Sequence, residues 1–413
     1  MKITIPYGKD KIDLDIPDDN ILDIVSGETS VSLKDEKEIV PRALAEPIGS
    51  ARLSEIARGK TSACILASDI TRPCPSYKFL HQLVEELNSG GIPLSNIKVV
   101  LGLGIHRPHT DIEKKKLVGD YIFKNTQVMD SDPSKAKLIG NTTAGTPVEV
   151  FEEALNCDLL IATGNIEYHY FAGYSGGAKA VMPGICTRNS IQANHSMMLD
   201  KRSVAGNIED NPVRNDIEEA AKMAGIGFIF NVILDDSKNI IDAVAGKNNE
   251  AWAEGVKRYE FIYSREVESP ADIVVVSPGG YPKDINLYQS QKALENIKDI
   301  AKPGGVIILI ASCAEGFGED VFKEWMDQAK DYNGISKRLR SRFVLGGHKA
   351  VAVSRVISEK KVYLYSEFDW TTTGKMGFLK LDNTQSYLNK AIEDNSNVMI
   401  TAVPGGRFVR LKS

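Results

Sequence analysis

Leu159-Leu160-Ile161-Ala162-Thr163-Gly164-Asn165-Ile166-Glu167-Tyr168-His169 is a short apolar run that ends abruptly in polar and ionisable side chains. It is too short for an ordinary helix, and with a glycine at its end it reads as a strand buried on both faces. The pattern recurs at Ala63–Ala67, Ile97–Gly102 and Phe228–Leu234, each run followed by a turn and a helical pattern. Strands alternating with helices predict a mainly parallel sheet flanked by helices. Such sheets bind ligands beyond the carboxyl ends of their strands. The residues that follow those strands are therefore the first candidates: Ser68-Asp69-Ile70-Thr71-Arg72-Pro73, Gly104-Ile105-His106-Arg107-Pro108 and Glu167-Tyr168-His169.

Outward from this sheet, residues 1–17 read as a hairpin about the turn Tyr7-Gly8-Lys9-Asp10. Residues from about 18 to 60 are polar and helix-prone, ending in a helix through Ala51–Arg58. A helical stretch Trp252–Arg265 and the polar segment Glu266–Asp272 mark a boundary, after which a second alternation begins at Ile273–Ser277, Val306–Ala311 and Val362–Tyr365. The expected organisation is two α/β domains, 1–268 and a smaller 269–413. The last strand-like run, Val398–Val403, could join either, so that 398–413 could pack back on the first.

The length of 413 residues agrees with two cores rather than one. With 50 basic and 55 acidic residues the net charge is −5, and no basic stripe interleaved with aromatics stands out, which argues against nucleic acid as a partner. No apolar run approaches the roughly 20 residues that span a bilayer. The N-terminus lacks the apolar stretch of a secretory signal. The five cysteines are scattered, with no Cys-x-x-Cys pair. Reduced thiols in a cytoplasmic protein are the expectation.

Chemistry concentrates in His169-Tyr170-Phe171-Ala172-Gly173-Tyr174-Ser175-Gly176-Gly177-Ala178-Lys179 and in Asn194-His195. The first segment fails the phosphate-loop pattern, because Ala178 and Ala180 stand where it needs glycine and a hydroxyl residue. A Gly176-Gly177 turn still lets backbone approach a ligand and could form an anion-binding nest, the plain alternative being a turn with a surface lysine. His106 could equally be an ordinary hydrogen-bonding residue on its loop, and Asp69 a helix cap. Arg72 has the fork geometry that suits a carboxylate or phosphate. Tyr288, Gln289 and Lys292 could share one helix face, and the plain reading is an amphipathic helix start. Gly346-Gly347-His348-Lys349 reads as a loop before a helix.

Taken together, Asp69-Ile70-Thr71-Arg72-Pro73, His106-Arg107-Pro108, Glu167-Tyr168-His169, Ser175-Gly176-Gly177-Ala178-Lys179, Asn194-His195, Asn211-Pro212-Val213 and Tyr288-Gln289 with Lys292 resemble the nickel-pincer-dependent lactate racemase family of 2-hydroxyacid racemases and epimerases. The resemblance implies two α/β domains with the active site in the cleft between them. It implies a nickel-pincer nucleotide, a pyridinium mononucleotide with thioamide and thiocarboxylate arms, attached covalently to Lys179. It also implies cofactor-biosynthesis enzymes as partners. By that resemblance His195 ligates nickel, and His106 and His169 are the paired acid/base residues. Asp69, Ser175, Gly176 and Gly177 lie near the cofactor, while Arg72, Tyr288, Gln289 and Lys292 hold the substrate. Ala178 stands where the family often carries arginine.

The chemistry is consistent with this reading. The C2 hydrogen of a 2-hydroxy acid is too weakly acidic for two imidazoles, and removing it as hydride needs an electron sink that side chains do not provide. Two other readings are open on the residues alone. One is a metal-assisted dehydratase or proton-abstraction enzyme, which lacks a carboxylate cluster for a hard metal. The other is a non-catalytic nickel or nucleotide carrier, which would leave His106, His169 and Tyr288 idle.

Overall fold

The computed structural model describes residues 1–25, 35–72, 74–235, 237–344, 346–406 and 408–412. Pro73 of the first strand-end motif and residues 26–34 of the helix-prone stretch lie outside the described residues. Leu159–Asn165 is a strand buried along its whole length. It lies inside a six-stranded sheet of order Ile240–Gly246, Ile226–Leu234, Leu159–Asn165, Ala63–Ser68, Ile97–Gly102, Gln127–Asp130. Neighbours are parallel except the first pair, which is antiparallel.

Side chains alternate between the faces of a strand. Ala63, Ile65, Ile161 and Phe230 pack on one face with Leu80, Leu83, Val84 and Leu87 of the helix Leu80–Ser89. The intervening Cys64, Leu66, Leu160 and Ala162 are also buried, and the turn Gly177–Ala180 lies against three of these strands. Burial on both faces is why the strands read as unbroken apolar runs. Truncating Leu83 to alanine would cost about 2–5 kcal/mol by the usual cavity penalty.

Two capped helices position later residues. Thr187 caps Arg188–Ser196 by accepting from Ser190 N. Asn211 caps Pro212–Ala224 by accepting from Arg214 N, with Pro212 in the first turn, where a missing N–H costs nothing, and Gly225 ends the helix in the left-handed region.

The chain forms two compact units over its described residues, Val31–Phe261 and a composite of Met1–Ser30 with Ile262–Ser413. The composite sheet has the order Leu379–Lys380, Lys361–Tyr365, Ala301–Ile310, Ala271–Val276, Ile400–Val403, Ile21–Ile24, all parallel. Both units are α/β with mainly parallel sheets, as expected. The expected division at 268/269 differs in two respects: the composite unit begins at Ile262, and it takes in the first residues, which were placed with the larger unit. The hairpin Lys2–Tyr7 and Asp10–Asp15 buries Ile3, Ile5 and Leu14 against Ile273, Val275, Ile308 and Ile310, and Ile21–Ile24 pairs with Ile400–Val403. Val398–Val403 likewise belongs to the composite unit. The helix expected over Ala51–Arg58 is one turn, Leu53–Ile56. Among the described residues no helix is long and apolar enough to cross a membrane.

Candidate active site

At the carboxyl ends of Ala63–Ser68 and Ile97–Gly102, Asp69 and His106 meet. His106 Nδ1 lies 2.5 Å from Asp69 Oδ2, and the Thr71 hydroxyl donates to Asp69 Oδ1 at 2.9 Å. Asp69 is therefore a partner of His106 rather than a helix cap. Burial opposes its charge, yet the His106 imidazole, with Thr71 and Arg72, holds its carboxyl below the usual range. An ionised carboxylate only accepts, so Nδ1 of His106 carries a proton and Nε2 is the nitrogen that can exchange one in the neutral ring. Arg72 is exposed.

A second group gathers around the Phe171 ring. The His169 ring is 4.6 Å from it, the His195 ring 4.9 Å, both edge-on, and the Lys179 amine lies 5.8 Å from its centroid. Ala172 N–H donates to His169 Nδ1 at 3.3 Å, so a neutral His169 carries its proton on Nε2. Asn194 is fully buried, and its amide donates to Asp216 Oδ2 at 2.8 Å and to Val213 O at 3.1 Å. That fixes its oxygen toward His195 Nδ1, 2.9 Å away, so Nδ1 carries the proton and Nε2 the lone pair. Burial lowers the Lys179 amine well below its ordinary value, Arg72 and Arg214 push the same way, and Glu167 opposes them. Arg72 belongs with Asp69, so the two groups adjoin.

In the Gly176-Gly177 turn the Gly177 N–H is already used. Gly177 N–H donates to Asn231 Oδ1 at 2.8 Å, and Asn231 is itself tied to Gly164 O and Phe230 O. The Ser175 hydroxyl donates to Asn165 O at 2.7 Å and accepts from Glu167 N at 2.9 Å. The glycines serve geometry: both have positive φ, and a Cβ on Gly177 would meet Trp252 at 2.9 Å. An anion nest that uses the Gly177 N–H is thus not what this turn offers. Sequence reasoning missed what braces it. Trp252 Nε1 donates to Ser175 O at 2.9 Å, and the buried Arg214 guanidinium stacks 3.5 Å from the Trp252 ring while donating to Tyr174 O.

In the composite unit, Asn286 caps the helix Leu287–Ile297 by accepting from Gln289 N, and Lys292 Nζ donates to Gln289 Oε1 at 2.8 Å. Tyr288, Gln289 and Lys292 lie within the first turn and a half of this helix. Lys349 was passed over because Gly346-Gly347-His348-Lys349 reads as a loop before a helix, whereas the helix already begins at Gly347. It is a buried cation whose amine lies 3.4 Å from the Tyr288 ring centroid and donates to Tyr288 O. Beside it, burial and the Lys349 charge push the His348 imidazole down to about 3.

The family model described as the lactate racemase N-terminal domain matches residues 7–206, and that of the lactate racemase C-terminal domain matches 267–409. The lactate racemase of Thermoanaerobacterium thermosaccharolyticum is 38% identical over 377 residues, covering 88% of each chain. That of Lactiplantibacillus plantarum is 36% identical over 348 residues, covering 79% of this chain and 81% of its own. The solved lactate racemase apoprotein from T. thermosaccharolyticum superposes with a TM-score of 0.87 at 34% identity, covering all of both chains. A Thermotoga maritima protein shares the fold at a TM-score of 0.60 and 18% identity, over 87% of this chain and 96% of its own.

Proposed function

Because this chain belongs to the lactate racemase family and is a racemase, we propose that it inverts the C2 centre of a 2-hydroxy acid through a 2-keto acid, using a nickel-pincer nucleotide on Lys179. The observation that carries this is the Lys179 setting. A lysine amine whose pKa is pushed well below its ordinary value by burial and two nearby guanidiniums loses its proton more readily than a surface lysine, which favours its forming a covalent link to an activated acyl group. The residues fit the group in a second respect, since His195 presents an Nε2 lone pair of the kind that ligates a first-row metal. When bound, the nucleotide would supply the hydride-accepting and hydride-returning centre that side chains lack.

The chain's own residues do the rest. The hydroxyl proton passes to one imidazole, His106 or His169 according to the enantiomer, as the C2 hydrogen leaves with its electron pair. The C2 hydrogen comes back with its pair on the opposite face while the other imidazole gives its own proton to the oxygen, leaving the two rings with exchanged protonation, a service worth roughly 10²–10⁴ in rate. Asp69 stabilises the His106 imidazolium formed on the way. Arg72, Tyr288, Gln289 and Lys292 are proposed to hold the substrate carboxylate while the keto acid turns, and Gly176 and Gly177 to shape the floor beneath the cofactor. Lactate, the substrate named for the relatives, is the first acid to try.

The test is expression with and without cofactor-biosynthesis enzymes, followed by intact mass and nickel analysis. An adduct on Lys179, with nickel lost in a folded His195→Ala variant, is expected. Racemising protein that carries no adduct on Lys179 would overturn the assignment.

A further inference from the structure

His106 and His109 sit three residues apart on one loop and have different surroundings. His106 is partly exposed, whereas the His109 side chain is almost wholly buried. Asp130, at the end of the strand Gln127–Asp130, accepts twice from His109. Its Oδ2 takes the backbone N–H at 2.9 Å, and its Oδ1 faces the ring Nδ1 at 2.6 Å. On the other side of the ring, Nε2 accepts the N–H of Ile70 at 3.1 Å. A carboxylate only accepts and a backbone N–H only donates, so this network fixes one neutral tautomer, with the proton on Nδ1.

Ile70 is the residue after Asp69. In the turn it belongs to, Ile70, Thr71 and Arg72 are all exposed, so apolar packing does little to hold these described residues. The turn's other ties among the described residues are Arg72 N–H to Asp69 O at 3.1 Å, the Thr71 hydroxyl to the Asp69 carboxylate, and the reach of that hydroxyl to His106 Nδ1 at 3.4 Å. Of the nearby charges, Arg107 forks onto Glu113, while Lys114 lies 3.6 Å from Asp130 Oδ2 and backs the same carboxylate that holds His109.

We propose that His109 is a positioning residue: with Asp130 behind it, it grips the Ile70 N–H and so holds Asp69 where it meets His106. The role extends from the third strand of the rim, through one imidazole, to the partner of another. Its consequence for turnover rests on the acid/base role proposed for His106, while the positioning itself does not. A displacement of about 1 Å in such an arrangement can cost roughly 10²-fold in rate.

The experiment uses ring and backbone nitrogen NMR on the full-length protein made without cofactor enzymes. Wild type should show His109 protonated on Nδ1, a low-field Nδ1 proton on His106 from its bond to Asp69, and a protected Ile70 N–H. In His109→Leu the Ile70 N–H should exchange about tenfold faster, in keeping with one lost hydrogen bond, and the low-field His106 proton should disappear. His109→Gln can accept from Ile70 and donate to Asp130, so it should restore both. In the loaded enzyme kcat should fall about tenfold or more in His109→Leu, with KM changed far less, and should recover in His109→Gln.

Wild-type His109 protonated on Nε2, or a folded His109→Leu that keeps both signals, would overturn the proposal. Loss of both signals with undiminished racemisation would uphold the positioning and refute the acid/base role of His106.

Discussion

Lys179 and Lys298 are both lysines withdrawn from water, one in each unit, and their amines are driven in opposite directions. Lys298 sits 2.9 Å from Glu295. Burial works against its charge, but Glu295 and Asp299 outweigh that and raise its pKa. Lys179 meets burial together with two guanidiniums, Arg72 and Arg214, and the opposing Glu167 does not make up the difference. Burial alone therefore does not make a reactive amine. The decisive factor is which charges are built around it, and around Lys179 they are mostly of its own sign.

The largest expected effect separates the two by function. Lys179→Arg keeps a cation but cannot form the link, so racemisation should fall by more than about a thousandfold, since no side chain replaces the hydride carrier. Lys298→Met should instead cost stability, about 3–5 kcal/mol from the stranded Glu295, while folded enzyme keeps its turnover. Chiral chromatography of the reaction mixture and thermal melts of both variants check this. A racemising Lys179→Arg enzyme would end the contrast.

Next in size is reactivity before any cofactor is present. At about pH 8 the neutral fraction of Lys179 exceeds that of an ordinary lysine, and that of Lys298 falls short of it. A mild acylating reagent should modify Lys179 in the apoprotein at least about tenfold faster than Lys298, read by peptide mass spectrometry. Equal rates would show that the surroundings of Lys179 do not tune it.

Much of the Lys179 setting was legible in sequence, and it is instructive which part was not. The strands were readable because burial on both faces leaves an apolar signature within a few residues, as in Leu159–Asn165. The Gly-Gly-x-Lys turn was readable because glycines at positive φ punctuate a sequence. The use of the Gly177 N–H was not, because its acceptor Asn231 lies 54 residues away. Arg214 and Trp252 look like ordinary helix residues until the fold stacks them. His109 drew no role beside His106 for the same reason: its meaning lies in Asp130 and in a backbone N–H of another loop. The composite unit was misplaced at its N-terminal end because the partners of the first strands come hundreds of residues later.

Stability should carry the same contrast with a smaller amplitude. A lysine whose folded pKa is lowered leaves the unfolded chain binding the extra proton between the two values. Its presence therefore makes apoprotein stability rise with pH toward the unfolded value of about 10.4. A lysine whose folded pKa is raised contributes stability that is full below its unfolded value and lost as pH climbs through the folded one. The difference in melting temperature between Lys179→Met and wild type should thus favour the variant near pH 7 and shrink as pH rises. Lys298→Met should be less stable than wild type near pH 7 and lose that deficit only at the alkaline end. A Lys179→Met melt that tracks wild type at every pH would remove the linkage.

The smallest effect divides the two guanidiniums that act on Lys179. Arg214 is buried and held by Trp252 and Glu218, so added salt reaches its field poorly. Arg72 is exposed, and its influence passes partly through solvent, where the Debye length is about 8–10 Å at ordinary ionic strength and about 3 Å at 1 M. Arg72→Gln should therefore raise the Lys179 pKa and slow acylation of the apoprotein. Salt near 1 M should do much the same to wild type and add little to the variant. Reading the apoprotein keeps this apart from any part Arg72 plays in holding substrate. If salt slowed the variant as much as wild type, the screened charge would lie elsewhere, and the depression of Lys179 would rest on burial and Arg214 alone.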